Sequence, residues 1–210
     1  MVETLDSPAA AAELAELRPA LSLVDPAARL PLLQLCVPAL RTLDPTALDR
    51  FITALDELVH ADGVVTPFEF SLQKLLVRSL ELGRAPAGAA AQLQSFHAVT
   101  REISVVLSAL AHTSSPDPAE AARAFATGAA QVKLIEQNLY LLAPADADLA
   151  QLDSALDRLT TASLPIKQRL LTAAAHVIGA DGVVLIEEAE LLRAISATLD
   201  CPMAPMTAAA

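Results

Sequence analysis

A stretch of 27 residues occurs twice in this chain. RFITALDELVHADGVVTPFEFSLQKLL, residues 50–76, aligns without a gap to RLLTAAAHVIGADGVVLIEEAELLRAI, residues 169–195, at an offset of 119. Ten of the 27 positions are identical, and eight of the other 17 exchange one apolar residue for another. In each copy apolar residues spaced three and four apart lead into Ala-Asp-Gly-Val-Val, and a second such segment starts a few residues later. That pattern predicts two matched helix-turn-helix units. Gly63 and Gly182 then fall in the turns, where a positive φ costs glycine little.

The rest of the chain reads as helix too. Proline repeatedly follows a residue able to cap a helix: Ser7-Pro8, Asp25-Pro26, Asp44-Pro45, Thr66-Pro67 and Asp117-Pro118. Behind these starts lie helical stripes such as Leu48, Phe51, Ile52, Leu55 and Leu58, or Leu149, Leu152, Leu156 and Leu159. Ile103 to Leu110, Leu30 to Leu40, Leu134 to Leu142 and Leu170 to Ile178 add further segments. Leu and Ala supply 81 of 210 residues, aromatics only 3%, and Trp is absent, so no strand pattern competes.

The expectation is an all-α, single-domain bundle of roughly eight to ten helices, with the two repeat units packed face to face through Leu, Ile, Val and Phe. Residues 1–25 form a leading helix or linker that Pro19 interrupts, residues 26–205 the helical domain, and residues 206–210 a tail. Loops are expected at 83–91 and 114–118, and the tail's small residues begin at Pro202.

Charge limits the partners. Lys and Arg number 14 against 25 Asp and Glu, a net charge of −11, which leaves no basic surface for nucleic acid and disfavours anionic membranes. Divalent cations or a basic protein surface are favoured instead. No apolar run reaches the roughly 18 residues of a membrane span, and the first residues lack the pattern of a secretory leader, so no direct membrane insertion by this chain is expected. Cys36 and Cys201 sit far apart without a CxxC, which gives neither a disulfide framework nor a structural zinc site. Cys36, within LLQLCVPAL, reads as a small buried hydrophobe.

The candidate site lies in the repeated turns. Asp62 and Asp181 precede the glycines, and Glu69 and Glu188 follow seven residues after each aspartate. D-G-V-V-x-x-x-E matches the second half of an EF-hand calcium loop. The first and third loop positions, however, are Leu58 and His60 in one copy and Val177 and Gly179 in the other, which excludes a complete EF-hand. Two readings stay open. In one, the aspartates make Asx turns and Thr66-Pro67-Phe68-Glu69 is a capping box, with Leu185 replacing Thr66 in the second copy. In the other, Asp62, Glu69, Asp181 and Glu188 are ligands of a divalent cation, calcium or magnesium ahead of zinc. A transition-metal site through His60 or His176 is weaker, because the two are not repeat equivalents and one ion commonly needs three or four converging ligands.

The two ADGVV units, VHADGVVTPFEFSLQKLL and IGADGVVLIEEAELLRAISATLDCPM, resemble the C-terminal helical region of bacterial HtpX-like membrane zinc metallopeptidases. That region is itself similar to TerB-like domains, named for tellurite resistance. The resemblance covers roughly residues 26–205. It implies an all-helical duplicated domain with metal binding at the acidic turn residues, here Asp62, Glu69, Asp181 and Glu188. It also implies a place at the cytoplasmic face of the bacterial inner membrane through a parent or partner protein.

The protease signature itself is missing: none of His60, His97, His112 or His176 begins an HExxH, without which two histidines cannot hold zinc beside a general base. No G-x-S-x-G, P-loop or dinucleotide glycine pattern occurs either. The expected role is a non-catalytic accessory domain whose protein partner is a membrane metallopeptidase half or its substrate.

Overall fold

The computed structural model describes residues 7–81 and 92–201. Among them are nine α-helices and no strand: α1 Pro8–Leu21, α2 Pro26–Leu40, α3 Pro45–Val59, α4 Pro67–Glu81, α5 Thr100–Ser114, α6 Pro118–Ala129, α7 Leu149–Leu159, α8 Leu164–Ile178 and α9 Ile186–Thr198. The chain divides into two compact units, residues 1–85 and 86–210, and each unit holds one copy of the repeat. The expected loop at 83–91 and the tail from Pro202 lie outside the described residues.

Short side chains start the helices as anticipated. Ser7 accepts from the Ala10 amide at 3.1 Å, Asp44 from Ala47 at 3.0 Å, and Asp117 from both Ala119 and Glu120. Each satisfies a donor that the first helical turn leaves without a carbonyl partner.

In the first unit, α4 packs on α2 and α3. Phe70, Leu75, Leu76 and Leu80 of α4 are buried, as are Leu30 and Val37 of α2 and Leu48 and Val59 of α3. The Arg41 side chain, just past α2, donates to the Ser79 carbonyl at 3.1 Å and holds the end of α4. Helix α1 differs: none of its residues is buried. It also runs through Pro19 to Leu21 rather than breaking there. Pro19 lies in the last turn, where Ser22 closes the end by donating its amide to the Arg18 carbonyl and its hydroxyl to that of Pro19. Cys36 is exposed, not buried as its apolar neighbours suggest. Its thiol lies 3.6 Å from the Leu32 carbonyl. α2 has only two polar side chains, Arg29 and Gln34, five residues apart and so on different faces, and its sequence did not mark which face turns inward.

In the second unit α5 is the hub, and α6, α7, α8 and α9 all pack on it. Every residue from Glu102 to Ala111 is buried. Glu102 is tolerated there because Arg158 of α7 pairs with it at 3.1 Å and also donates to the Ala98 carbonyl.

The segment 134–142 corrects the expected helix. It contains only a 3-10 turn at Glu136–Asn138 and then runs extended along α5. Ser104, Ser108 and His112, spaced four apart on α5, form a polar stripe that binds this extended backbone. Ser108 Oγ accepts from the Leu142 amide at 3.0 Å, Ser104 Oγ from Tyr140 at 3.4 Å, and His112 Nε2 lies 2.8 Å from the Leu142 carbonyl. These bonds replace those a helix would have made internally.

Helices α6 and α8 approach closely at Gly128. A Cβ there would lie 2.4 Å from Val177 Cγ2 and 2.8 Å from the Ala173 carbonyl oxygen. Helix α9 ends with Asp200 in the left-handed region, φ +56°. The Cys201 amide reaches back to the Ser196 carbonyl at 3.0 Å and that of Asp200 to Ala197 at 3.1 Å, a Schellman closure with aspartate where glycine is usual.

Candidate functional site

The backbone of the two acidic turns repeats over more than the aligned sequence. α3 spans 45–59 and α8 spans 164–178, which is the same 119-residue offset at both ends. The residues closing these helices, His60 and Gly179, share φ near −95° and ψ of 8° despite their different side chains. Gly63 and Gly182 adopt φ +80° and +83°, as the turn requires. The next helices start at Pro67 and Ile186, again 119 apart.

The carboxylates serve these turns. Asp62 Oδ1 accepts from the Val64 amide at 3.0 Å, and Asp181 Oδ1 from Val183 at 2.9 Å, so each aspartate closes an Asx turn around its glycine. In the first unit Glu69 Oε2 accepts from the Thr66 amide at 2.9 Å and from the Thr66 hydroxyl at 2.8 Å. The Glu69 amide donates back to Thr66 Oγ1 at 3.2 Å, completing a reciprocal capping box. In the second unit Leu185 has no oxygen to offer, yet Glu188 Oε2 still takes the Leu185 amide at 2.6 Å. Half of the box therefore survives, and Glu188 has the same structural task as Glu69.

The two copies differ in surroundings. Glu69 is partly exposed, whereas Glu188 is 2% exposed. Burial raises the Glu188 carboxyl above its usual range; hydrogen bonds from Ser114 and Leu185 oppose the shift, and the nearby charges of Asp181 and Glu187 add to it. A cleft of about 430 Å³ opens next to this turn, and Asp181, Ser114, Ser115, Glu120 and Arg123 line part of it. Ser115 donates to Glu120 at 2.7 Å and Arg123 pairs with Glu120 at 3.5 Å. Among the described residues no group of three or more His, Cys, Asp or Glu side chains is placed to hold a metal ion.

The histidines do not converge on the turns. His60 Nδ1 lies 2.8 Å from the Asp56 carbonyl and 3.5 Å from the Asp56 carboxylate, within its own helix end. His176 instead lines an open cavity of about 600 Å³ with Asp200 and Cys201. Cysteine, histidine and aspartate are the residue types of a thiol nucleophile site. Burial, however, raises the Cys201 thiol, opposed by Lys167 and aided by Asp200, which disfavours the thiolate that such a site needs. Sequence reasoning missed the stripe Ser104, Ser108 and His112; its four-residue spacing across the apolar stretch of α5 was the available signal.

No family model, curated protein or solved structure matches the chain. No helix among the described residues is long and apolar enough to cross a membrane.

Proposed function

We propose that this chain is a non-catalytic helical interaction domain of the TerB-like type, an accessory to a membrane zinc metallopeptidase. The observation that carries the interaction role is α1, which buries none of its residues while presenting Leu14, Leu17 and Leu21 at 41%, 59% and 45% exposure. A 14-residue helix is marginal in water by itself. A leucine stripe at three- and four-residue spacing is the way an amphipathic helix docks into a groove of another protein. The TerB-like assignment is supported by the duplicated ADGVV turns, whose flanking helices repeat at the same 119-residue offset.

The test mixes the chain with the separately produced catalytic half of an HtpX-like metallopeptidase in detergent and follows co-elution by size exclusion. A complex with the wild type that is lost with Leu14→Asp/Leu17→Asp is expected. Absence of any complex at tens of micromolar overturns the assignment.

A second reading, a divalent-cation module, rests on the twice-occurring D-G-V-V-x-x-x-E and the net charge of −11. Its test is a thermal melt of the metal-stripped chain with millimolar calcium, magnesium or zinc. An ion bound only by the native state raises the midpoint. A rise absent from Asp62→Asn/Asp181→Asn supports this reading, and no rise with any ion removes it.

A further inference from the structure

A cavity of about 320 Å³ lies in the second unit between the turn after α6 and the start of α8. This volume is at the lower end of the range that small-molecule sites occupy. Phe96, Val132, Leu134 and Pro165 form its apolar lining, and Lys133 and Arg169 supply its charge. Gln131 is the remaining polar residue, and no carboxylate lines it.

Three features set this cavity apart. The chain has nearly twice as many acidic as basic residues, yet two cations and no acid line this cavity. Neither Lys133 nor Arg169 forms an ion pair among the described residues. Leu134 is 74% exposed at the rim, a large apolar surface with nothing packed on it. The start of α8 adds to the positive field, because Ser163 makes no side-chain cap there.

From this combination we infer that the cavity binds a small monocarboxylate carrying a medium-length apolar stem, with Lys133 and Arg169 holding the carboxylate and Phe96, Val132 and Leu134 covering the stem. A guanidinium suits a carboxylate through two parallel hydrogen bonds, and the lysine adds a point charge. The apolar lining rejects small hydrophilic anions, which gain nothing from it. The cations reject neutral chains of the same length, which leave both charges unpaired.

The experiment titrates the full ¹⁵N-labelled chain with sodium octanoate and follows backbone amides. Shifts are expected at residues 131–134 and 166–169. Acetate, lacking the stem, and octanamide, lacking the charge, are each expected to bind at least about tenfold more weakly, the first through lost apolar burial and the second through loss of about one charged contact. Lys133→Glu/Arg169→Glu is expected to lose at least as much, and the milder Lys133→Gln/Arg169→Gln to lose binding without reversing charge. Arg101→Glu, an exposed site elsewhere on the unit, controls for net charge and is expected to bind octanoate like the wild type. The inference is overturned if octanoate shifts amides elsewhere or none at millimolar concentration, if octanamide binds as well as octanoate, or if Arg101→Glu weakens binding as much as the changes at Lys133 and Arg169.

Discussion

Gly128→Ala tests the packing of the second unit, because two effects of opposite sign act on it. Alanine is the better helix former by about 1 kcal/mol, so at an open position in α6 the change would stabilise. The structure puts the new methyl 2.4 Å from Val177 Cγ2 and 2.8 Å from the Ala173 carbonyl oxygen, against an ordinary separation of about 3.5–4 Å between carbons. The valine methyl can rotate aside, but the carbonyl belongs to the backbone of α8 and moves only if the helix does. Separating α6 from α8 loosens a face on which both also meet α5. Overpacking of this kind costs about 1–3 kcal/mol, and the contact with fixed backbone places this site in the upper half of that range. After subtracting the helix-propensity gain, a net loss of about 1–2 kcal/mol remains. Urea denaturation followed by far-ultraviolet circular dichroism reads it as a lower midpoint at unchanged slope. Adding Val177→Ala relieves the shorter contact only, so the pair should be less destabilised than the sum of its members. A Gly128→Ala variant as stable as the wild type, or more stable, would refute the close approach.

Other expectations bear on the turns, the strap and the buried acid. Gly182→Ala meets no neighbour within 4 Å but is forced to hold φ +83°, so it should cost about 1 kcal/mol in the same assay. Gly179→Ala brings a Cβ to 3.3 Å from the Ala175 carbonyl oxygen, yet His60 carries a Cβ at the same backbone angles in the first unit, so the change should cost less than Gly182→Ala. Ser108→Ala removes the acceptor for the Leu142 amide and should cost about 1–2 kcal/mol, with faster hydrogen exchange confined first to residues 139–142. Glu188 binds its proton more tightly when folded than when unfolded, so the native state holds the extra proton and stability falls as pH rises from about 4.5 to the raised folded value. Glu188→Gln keeps an oxygen for the Leu185 amide and should flatten that fall; an unchanged pH dependence of the unfolding free energy would show that Glu188 is not its source.

What could be read from the sequence was mostly local. Ser7, Asp44, Thr66 and Asp117 cap helices because one short oxygen-bearing side chain beside a proline suffices to define a helix start. The repeat carried the turn geometry for the same reason: a glycine with positive φ and an aspartate two residues before an amide need no distant partner. Reading failed where a distant partner decides the outcome. Residues 134–142 have apolar spacing suitable for a helix, but Ser104, Ser108 and His112, some thirty residues earlier, provide hydrogen bonds that hold the segment extended. Cys36 could not be placed because α2 offers no polar face for comparison. At the candidate site the Asx turn of Asp62 and the capping box of Glu69 were one of two readings that their spacing left open. The burial of Glu188 was not legible, since it depends on how α9 packs on α5 and α8.

Helix α5 has a consequence for the order in which the second unit assembles. Ten successive buried residues leave it no side that water can cover, so it gains little from forming before its neighbours arrive. Those neighbours come from as far along the chain as α9, more than seventy residues away, and the loops joining them must close first. Folding of this unit is therefore slower than its helical content suggests, with a transition state that already gathers distant helices around α5. Once assembled, the amides of α5 exchange only when the whole unit opens, and their exchange rate measures its global stability.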